Sequence, residues 1–208
     1  MLPGGKFRGF YDGFEDGLKK WEYGMPGGSA VESIGVAHVK SGGISYKVLT
    51  GGVYPGNGYA LHYMGAYNVA RVGVECSFSF HHAASLITFG LNLDDKIHHY
   101  ITGVRYNHAN TKLEYINSTG NWTDLLTDFT LNSNRNYFST LKFVVDFPNE
   151  KYVRCIVNAT EIDMSTYSIR DTEIPGYGGI SSKIQCENGD IANYEFYFDD
   201  YIITINEP

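Results

Sequence analysis

The chain has 208 residues, of which 43% are hydrophobic, 15% aromatic and 19% charged, and its formal net charge is −7. At about 150 residues per domain, this length suits one large domain or two small ones. The many aromatic and few charged residues exclude an intrinsically disordered chain, and the abundant Tyr and Gly disfavour a helical bundle. No stretch is basic enough to follow a phosphate backbone, so we expect no nucleic-acid partner.

The N-terminal residues and the cysteines give information about the cellular compartment of the protein. The N-terminus lacks the basic start and apolar run of a signal peptide, so we expect either a removed leader or no export by that route. No window of about 20 apolar residues is present, so we expect no membrane span. The three cysteines have neither metal-site spacing nor an even number, and we expect all of them to be reduced: Cys76, Cys155 and Cys186.

Apolar and polar residues alternate with a period of two along most of the chain, which is typical of strands with one buried face. In chain order, the clearest alternating or β-branched segments are residues 74–80, 87–93, 98–106, 141–147 and 152–157. Clusters of Gly, Pro, Asn and Asp separate these segments, and we expect roughly a dozen strands spaced about 8–15 residues apart. The pattern predicts an all-β sandwich or barrel.

Nothing in the sequence divides this pattern into separate units. There is no Pro/Ser-rich linker, no block of like charges and no repeat of fixed period. We therefore predict a single β-sandwich domain over residues 1–208, whose first and last strands pair or lie side by side. The best candidate for helix is a single turn at residues 164–169.

Three segments carry a recognisable pattern. The first is Gly-Phe-Glu-Asp-Gly at residues 13–17 with the following Trp21, the second is the strand pair at residues 137–146 and 151–158, and the third is Phe-Asp-Asp-Tyr-Ile-Ile-Thr at residues 198–204. Together they resemble concanavalin A-like lectins and glucanases, including laminin-G-like and carbohydrate-binding modules. The resemblance covers most of the chain and implies an antiparallel jelly-roll β-sandwich, without identifying a substrate.

Glucanases of this superfamily carry three acids on one strand in the pattern E-x-D-x-x-E, where alternate carboxylates face the sugar. Here Glu161 and Asp163 are present, but Thr166 stands at the third position and the segment follows a hairpin turn. No nucleophile elbow or cysteine-nucleophile signature is present. We predict that the protein is not an enzyme and that both acids are solvated surface charges.

Two histidine pairs, His81-His82 and His98-His99, are tempting as metal ligands. Adjacent residues on a strand point to opposite faces, so neither pair can chelate through both rings without a bulge. We expect an exposed histidine beside a more buried one in each pair. The alternative is that one histidine from each pair converges across neighbouring strands.

The resemblance also implies a structural calcium ion where the first and last strands meet. Ca²⁺ takes about six to eight oxygen ligands, several of them carboxylates. Carried over by motif, the ligands are Glu15 and Asp200, with Asp16 and Asp199 as weaker candidates and backbone carbonyls completing the set. The alternative is that these acids only flank strands.

Sugar binding requires aromatic faces beside amide and carboxylate groups on a loop or a concave sheet. The best candidate is Trp122, followed by Tyr100, Arg105, Tyr106 and Asn107. The alternative for the tryptophan is packing over a sheet edge. With 17 tyrosines in the chain, most must be ordinary cross-strand neighbours.

These features leave two functions open. The first is a non-catalytic role in structure or display on a particle surface, best described as a virion decoration or accessory capsid protein, with contacts to particle proteins or to copies of itself. The second is a carbohydrate-binding module of a secreted glycan-degrading or adhesion protein, located at the cell exterior, for which the argument is an analogy of fold. A hydrolase or lyase is a third alternative.

Overall fold

The computed structural model describes residues 7–24, 31–50, 57–65, 70–82, 85–173, 178–188 and 193–208. These residues form two antiparallel sheets, and none of them lies in a helix. Sheet 1 consists of β1 (Phe7–Asp12), β3 (Val31–Gly35), β4 (Ser45–Leu49), β6 (Arg71–Phe80), β11 (Ser139–Asp146), β12 (Lys151–Val157), β13 (Thr160–Asp163) and β16 (Glu195–Ile205). Sheet 2 consists of β2 (Glu22–Gly24), β5 (Asn57–Met64), β7 (Ser85–Asp94), β8 (His99–Asn107), β9 (Lys112–Ile116), β10 (Trp122–Leu126), β14 (Arg170–Thr172) and β15 (Gly179–Asn188).

The order of strands in each sheet mixes distant parts of the chain. Sheet 1 runs β13-β12-β11-β6-β16-β4-β3, with β1 paired to the second half of β16. Sheet 2 runs β10-β9-β8-β7-β15-β5-β2, with β14 paired to β8. Strands from both ends of the chain therefore share sheet 1, and the predicted pairing of the first and last strands is confirmed.

Aromatic side chains from both sheets meet in the interior. The Phe78 ring of β6 lies 5.5 Å from the Phe89 ring of β7, measured between centroids, and Phe89 also contacts Phe198 of β16 at 6.3 Å. Nearby, Phe80 of β6 lies 5.8 Å from Tyr106 of β8. Each such side chain contributes about 1.5–3 kcal/mol on burial, so this layer joins the two sheets. The prediction of an all-β antiparallel sandwich is confirmed.

The cysteines, the candidate helical turn and the absence of a membrane-spanning helix were also predicted from the sequence. The three cysteines are buried and free, as expected. The candidate helical turn at residues 164–169 is a turn between two strands, in which the Tyr167 N–H donates to the Met164 carbonyl at 2.9 Å. The described part of the chain contains no helix with the length and apolarity that a membrane crossing requires.

One carboxyl in sheet 1 makes the fold sensitive to pH. The Tyr46 hydroxyl donates to Glu32 Oε1 at 3.0 Å, while Glu32 Oε2 is buried and finds no hydrogen-bond partner among the described residues. Burial raises the pKa of Glu32 to about 7. The folded state therefore holds this proton more tightly than the unfolded chain, and stability falls as the pH rises from the ordinary glutamate pKa through the raised one.

We expect Glu32→Gln to raise the melting temperature more at about pH 8 than at about pH 5, because glutamine resembles the protonated carboxyl and does not titrate. Thermal unfolding at the two pH values measures this difference. The matched control is Glu161→Gln, which changes an exposed carboxyl on β13. Equal pH dependence in the wild type and the Glu32 variant would contradict the prediction.

Candidate functional site

The outward face of sheet 2 places polar side chains in rows that cross the strands. Antiparallel register sets Arg105 of β8 beside Thr88 of β7, Thr88 beside Gln185 of β15, and Gln185 beside Tyr59 of β5. Residues in direct register project from the same face of a sheet. On the other side, Arg105 is in register with Glu114 of β9.

The neighbouring row has two glycines at its centre. Gly90 of β7 is in register with Gly103 of β8, and Lys183 of β15 is in register with Gly90. A Cβ atom at Gly103 would lie 3.5 Å from the Trp122 ring and 3.1 Å from the Phe89 carbonyl, so the indole leans over a backbone that carries no side chain. Because the two glycines have no side chains, the surface of the sheet is depressed between Trp122 and Lys183.

A cavity of about 250 Å³ lies over Gly90 and beside the indole ring of Trp122, and we call it the Trp122 cavity. Its walls come from β7, β8, β9, β10 and β15, so that five strands of sheet 2 contribute. The polar residues of its lining are Thr88, Asn92, Thr102, Arg105, Lys183, Gln185 and Glu187.

Arg105 is held in place by a chain of contacts. Its Nε donates to Glu114 Oε2 at 2.7 Å and its Nη2 to Glu114 Oε1 at 3.3 Å, and the Asn107 amide donates to the same carboxylate at 3.4 Å. The guanidinium carbon lies 4.4 Å from the centre of the Trp122 ring, within the range of a cation–π contact. The arginine thus fixes the tryptophan, and the buried carboxylate fixes the arginine.

The side chains of β15 that line the Trp122 cavity differ from Arg105, because they have no hydrogen-bond or ion-pair partner among the described residues. Lys183, Gln185 and Glu187 make no side-chain hydrogen bond or ion pair with any described residue, although each is partly buried. Burial lowers the pKa of Lys183 and raises the pKa of Glu187, and the nearby Arg105 and Lys183 charges oppose the shift at Glu187. Unpaired titratable groups with shifted pKa values in a cavity are typical of functional sites.

A tyrosine from sheet 1 supports the cavity floor from below. The Tyr152 hydroxyl accepts a hydrogen bond from the Gly103 N–H at 3.0 Å and lies 2.9 Å from the Ile116 carbonyl and 3.3 Å from the Gly103 carbonyl. The register between β8 and β9 ends at Val104 and Tyr115, so Gly103 and Ile116 do not pair with each other. The hydroxyl occupies the space where the two strands separate.

The structure brings three of the five predicted sugar-binding residues together. Trp122 and Arg105 line the cavity, and Asn107 lies behind them on Glu114. Tyr100 and Tyr106 do not belong to this group, because both lie in the hydrophobic core of the sandwich. Alternate residues of β8 face opposite sides, so neighbours in sequence are separated by the sheet.

The sequence reasoning missed the β15 residues. Lys183, Gln185 and Glu187 alternate with the buried Ile184 and Cys186, which is the period-two pattern used elsewhere in the chain. That alternation identifies an outward face with three polar groups. It does not reveal which strands lie beside it, and so it could not place these residues near Trp122.

The acids considered for catalysis lie on the other sheet. Glu161 and Asp163 belong to the edge strand β13 of sheet 1, where both are exposed. Asp163 Oδ1 accepts the Ser165 N–H at 2.9 Å, so it caps a turn. Neither carboxylate has access to the Trp122 cavity.

The histidine pairs make separate local contacts. His98 Nδ1 lies 2.8 Å from Asp171 Oδ2, while His99 Nδ1 contacts Asp94, so the two rings use different partners. His82 stacks on Tyr194 with a centroid distance of 3.9 Å. Over the described ranges, no three His, Cys, Asp or Glu side chains are arranged to hold a metal ion.

The predicted calcium ligands both contact the loop before β4. Glu15 Oε1 accepts the N–H groups of Gly43 and Ile44 at 2.8 and 3.1 Å, and Asp200 Oδ1 accepts the Ser41 hydroxyl at 2.7 Å. These N–H and O–H donors occupy one oxygen of each carboxylate. Each carboxylate has a second oxygen that these donors do not occupy, and calcium binding by Glu15, Asp200 and backbone carbonyls stays a prediction.

The fold and the cavity can now be compared with known proteins. No protein-family model matches the chain, and no curated protein sequence matches it significantly. Among solved structures, the endo-β-1,4-glucuronan lyase from the fungus Trichoderma reesei is similar with a TM-score of 0.64 and 10% identity, covering 95% of each chain. The cellulose-induced protein Cip1 has a TM-score of 0.61 and 18% identity over 93% of this chain and 96% of its own. A β-glucanase of Bacillus licheniformis has a TM-score of 0.52 and 13% identity over 99% and 100%.

These likenesses define the class of fold. The chain has the concanavalin A-like jelly-roll sandwich, as the sequence motifs implied. The similar structures with this fold include a glucuronan lyase and a β-glucanase. At these identities the comparisons establish the architecture alone, and the function has to be argued from the cavity.

We expect Tyr152→Phe to lower the free energy of unfolding by about 1–3 kcal/mol, because the buried Gly103 N–H and Ile116 carbonyl lose their partner. Urea unfolding measures the effect. Tyr137→Phe is the matched control, since that tyrosine is 61% exposed. Equal stability of the two variants would show that the Tyr152 hydroxyl does not hold the floor.

The calcium prediction is tested by thermal unfolding with and without EDTA. An ion that binds only the folded state stabilises it by about 2.7 kcal/mol at a hundredfold excess over Kd. We expect the chelator to lower the melting temperature of the wild type, and Asp200→Asn to remove that drop. A wild-type melting temperature unaffected by EDTA would contradict calcium binding.

Proposed function

We propose that the protein binds a glycan in the Trp122 cavity and does not cleave it. The observation that carries the proposal is the set of polar side chains on β15, Lys183, Gln185 and Glu187, which have no side-chain partner among the described residues and face the fixed indole ring across Gly90. An aromatic face with convergent polar groups suits a ring that is apolar on its faces and hydroxylated at its edge. The similar structures include a glucuronan lyase and a β-glucanase, which supports a glycan as the class of ligand.

A second cavity on the same sheet suits an elongated ligand. It measures about 220 Å³, and its lining includes Leu61 and the 56% exposed Tyr63 of β5. Leu61 is in register with Lys183, so this cavity lies directly beyond the far wall of the Trp122 cavity. A chain of sugars crossing the strands would contact Trp122 at one end and Tyr63 at the other.

The arrangement of acids supports binding without hydrolysis. Glycosidases place two carboxyl groups about 5–10 Å apart across the scissile bond. Glu114 and Glu187 lie on β9 and β15, which are separated by three strand spacings of about 4.8 Å, or about 14 Å between backbones. In addition, Glu114 is bonded to Arg105 through both oxygens.

Display on a virion or other particle surface remains a separate prediction, as do homo-oligomer formation and the location at a particle or cell exterior. Contacts of that kind would use exposed apolar side chains outside the cavity, such as Ile97 and Tyr137, which are 67% and 61% exposed. A particle protein that binds surface glycan would combine both roles. Loss of attachment to particles in an Ile97→Ser variant that retains glycan binding would support this role.

We expect Trp122→Ala to weaken glycan binding by about 2 kcal/mol, because the ring provides the main apolar contact. Binding is measured by affinity electrophoresis in gels that contain neutral or acidic polysaccharides, followed by titration calorimetry with oligomers of any polysaccharide that retards the protein. Tyr137→Ala is the matched aromatic control. Ligand should also change the tryptophan fluorescence, and loss of most of that change in Trp122→Ala would assign it to Trp122 and not to Trp21, which lines the second cavity.

Failure to retard in every polysaccharide gel would contradict glycan binding. Binding that persists unchanged in folded Trp122→Ala would place the ligand elsewhere. A ligand that is shortened by the wild type, and not by Glu187→Gln, would contradict the absence of catalysis.

A further inference from the structure

The charged groups of the Trp122 cavity differ in whether they have an ion-pair partner. Three charged side chains belong to its lining: Arg105, Lys183 and Glu187. The carboxylate that neutralises Arg105, Glu114, binds Nε and Nη2 from the β9 side and leaves Nη1 without a partner among the described residues. Lys183 has no ion pair with any described residue.

Other lysines that are partly buried have carboxylate partners. Lys142 Nζ lies 2.6 Å from Glu207 and Lys47 Nζ lies 2.8 Å from Glu195. A cation that is removed from water without a counter-charge costs free energy, which an opposite charge nearby offsets. Lys183 makes no ion-pair contact among the described residues and has only the electrostatic attraction of Glu187 on the same strand, so a bound anion would give its ammonium group a direct partner.

We propose that the glycan bound here is acidic, with its sugar carboxylate received by Lys183 and Arg105. This inference rests on the proposed glycan-binding function and names its substrate class. The two cations lie on β15 and β8, on either side of β7, so their backbones are about 10 Å apart across Gly90 and Thr88. A carboxylate above this strand can meet both head groups, while Trp122 contacts the ring.

Glu187 determines how this recognition depends on pH. Burial raises its pKa, and the described charged groups that face it are Arg105 on β8 and Lys183 on its own strand. A second carboxylate brought into the cavity repels ionised Glu187 and not its protonated form. Binding of an acidic sugar should therefore take up a proton and weaken as the pH rises through the raised pKa of Glu187.

The experiment compares polymers that differ only at C6. One pair is a β-1,4-glucan oligomer and the corresponding β-1,4-glucuronan oligomer, and a second is a β-1,4-mannan and a β-1,4-mannuronan oligomer of equal length. For at least one pair, we expect the wild type to bind the acidic member at least about tenfold more tightly, since one charge-assisted contact is worth about 1.5–3 kcal/mol. Added salt should weaken that binding and leave the neutral member unaffected.

Variants assign the charge effect to the cavity. Lys183→Gln should lower affinity for the acidic oligomer about tenfold, and by a larger factor than it lowers affinity for the neutral one, because only the acidic oligomer loses a charge-assisted contact. The matched control is Lys151→Gln, which removes the same charge from an exposed position on β12 of sheet 1 and should change neither affinity. Glu187→Gln should bind the acidic oligomer at least as tightly as the wild type and lose the pH dependence assigned to Glu187.

The outcomes separate this inference from the proposed function. Equal or tighter binding of the neutral member of each pair overturns the acidic-glycan inference and leaves glycan binding intact. Absence of binding to every polysaccharide overturns both. If Lys183→Gln does not fold, reduction of the ligand carboxylates to alcohols provides the same comparison on the wild type, and retention of affinity after reduction overturns the inference.

Discussion

The hydroxyl of Tyr152 is the contact on which the geometry of the Trp122 cavity depends. It reaches from sheet 1 into sheet 2 and bonds the backbone where β8 and β9 separate. Without such a donor and acceptor, the unpaired Gly103 N–H and Ile116 carbonyl would each carry the cost of an unmet buried polar group. Because the hydroxyl meets this requirement, the strands can diverge beneath the indole ring of Trp122.

Charged side chains on the two sheets differ in how they are paired. On sheet 1, the side chain of Glu207 is fully buried and pairs with both Lys142 and Arg154, a closed arrangement that ties the end of the chain to β11 and β12. On sheet 2, Lys183 makes no ion-pair contact with a described residue, although the charge of Glu187 acts on it. Burial lowers the pKa of Lys183, and a partly buried cation without a direct carboxylate contact is available to a ligand.

The sequence predicted the sandwich because a two-residue period and turn clusters are local signals. It also identified Trp122 and Arg105, which the structure places together at 4.4 Å. It also included Tyr106, the neighbour of Arg105, although adjacent residues on a strand lie on opposite faces of the sheet. Lys183 was missed for another reason: it is separated from Gly90 by more than ninety positions, and such a pairing is fixed by the packing of the whole sheet and not by local pattern.

Inward and outward side chains alternate along β15, so that different residues contribute to stability and to ligand recognition. Its inward residues, such as Ile184 and Cys186, fill the core, and the Ser182 hydroxyl bonds the Gly90 carbonyl of the next strand at 3.1 Å. Its outward side chains Lys183, Gln185 and Glu187 make no such bonds with the described residues, so substitutions there change the chemistry of the cavity at little cost to the fold. A jelly-roll sheet can therefore acquire a preference for a neutral or an acidic glycan through two or three outward side chains, which is why the charges on β15 say more about the ligand of this protein than the fold does.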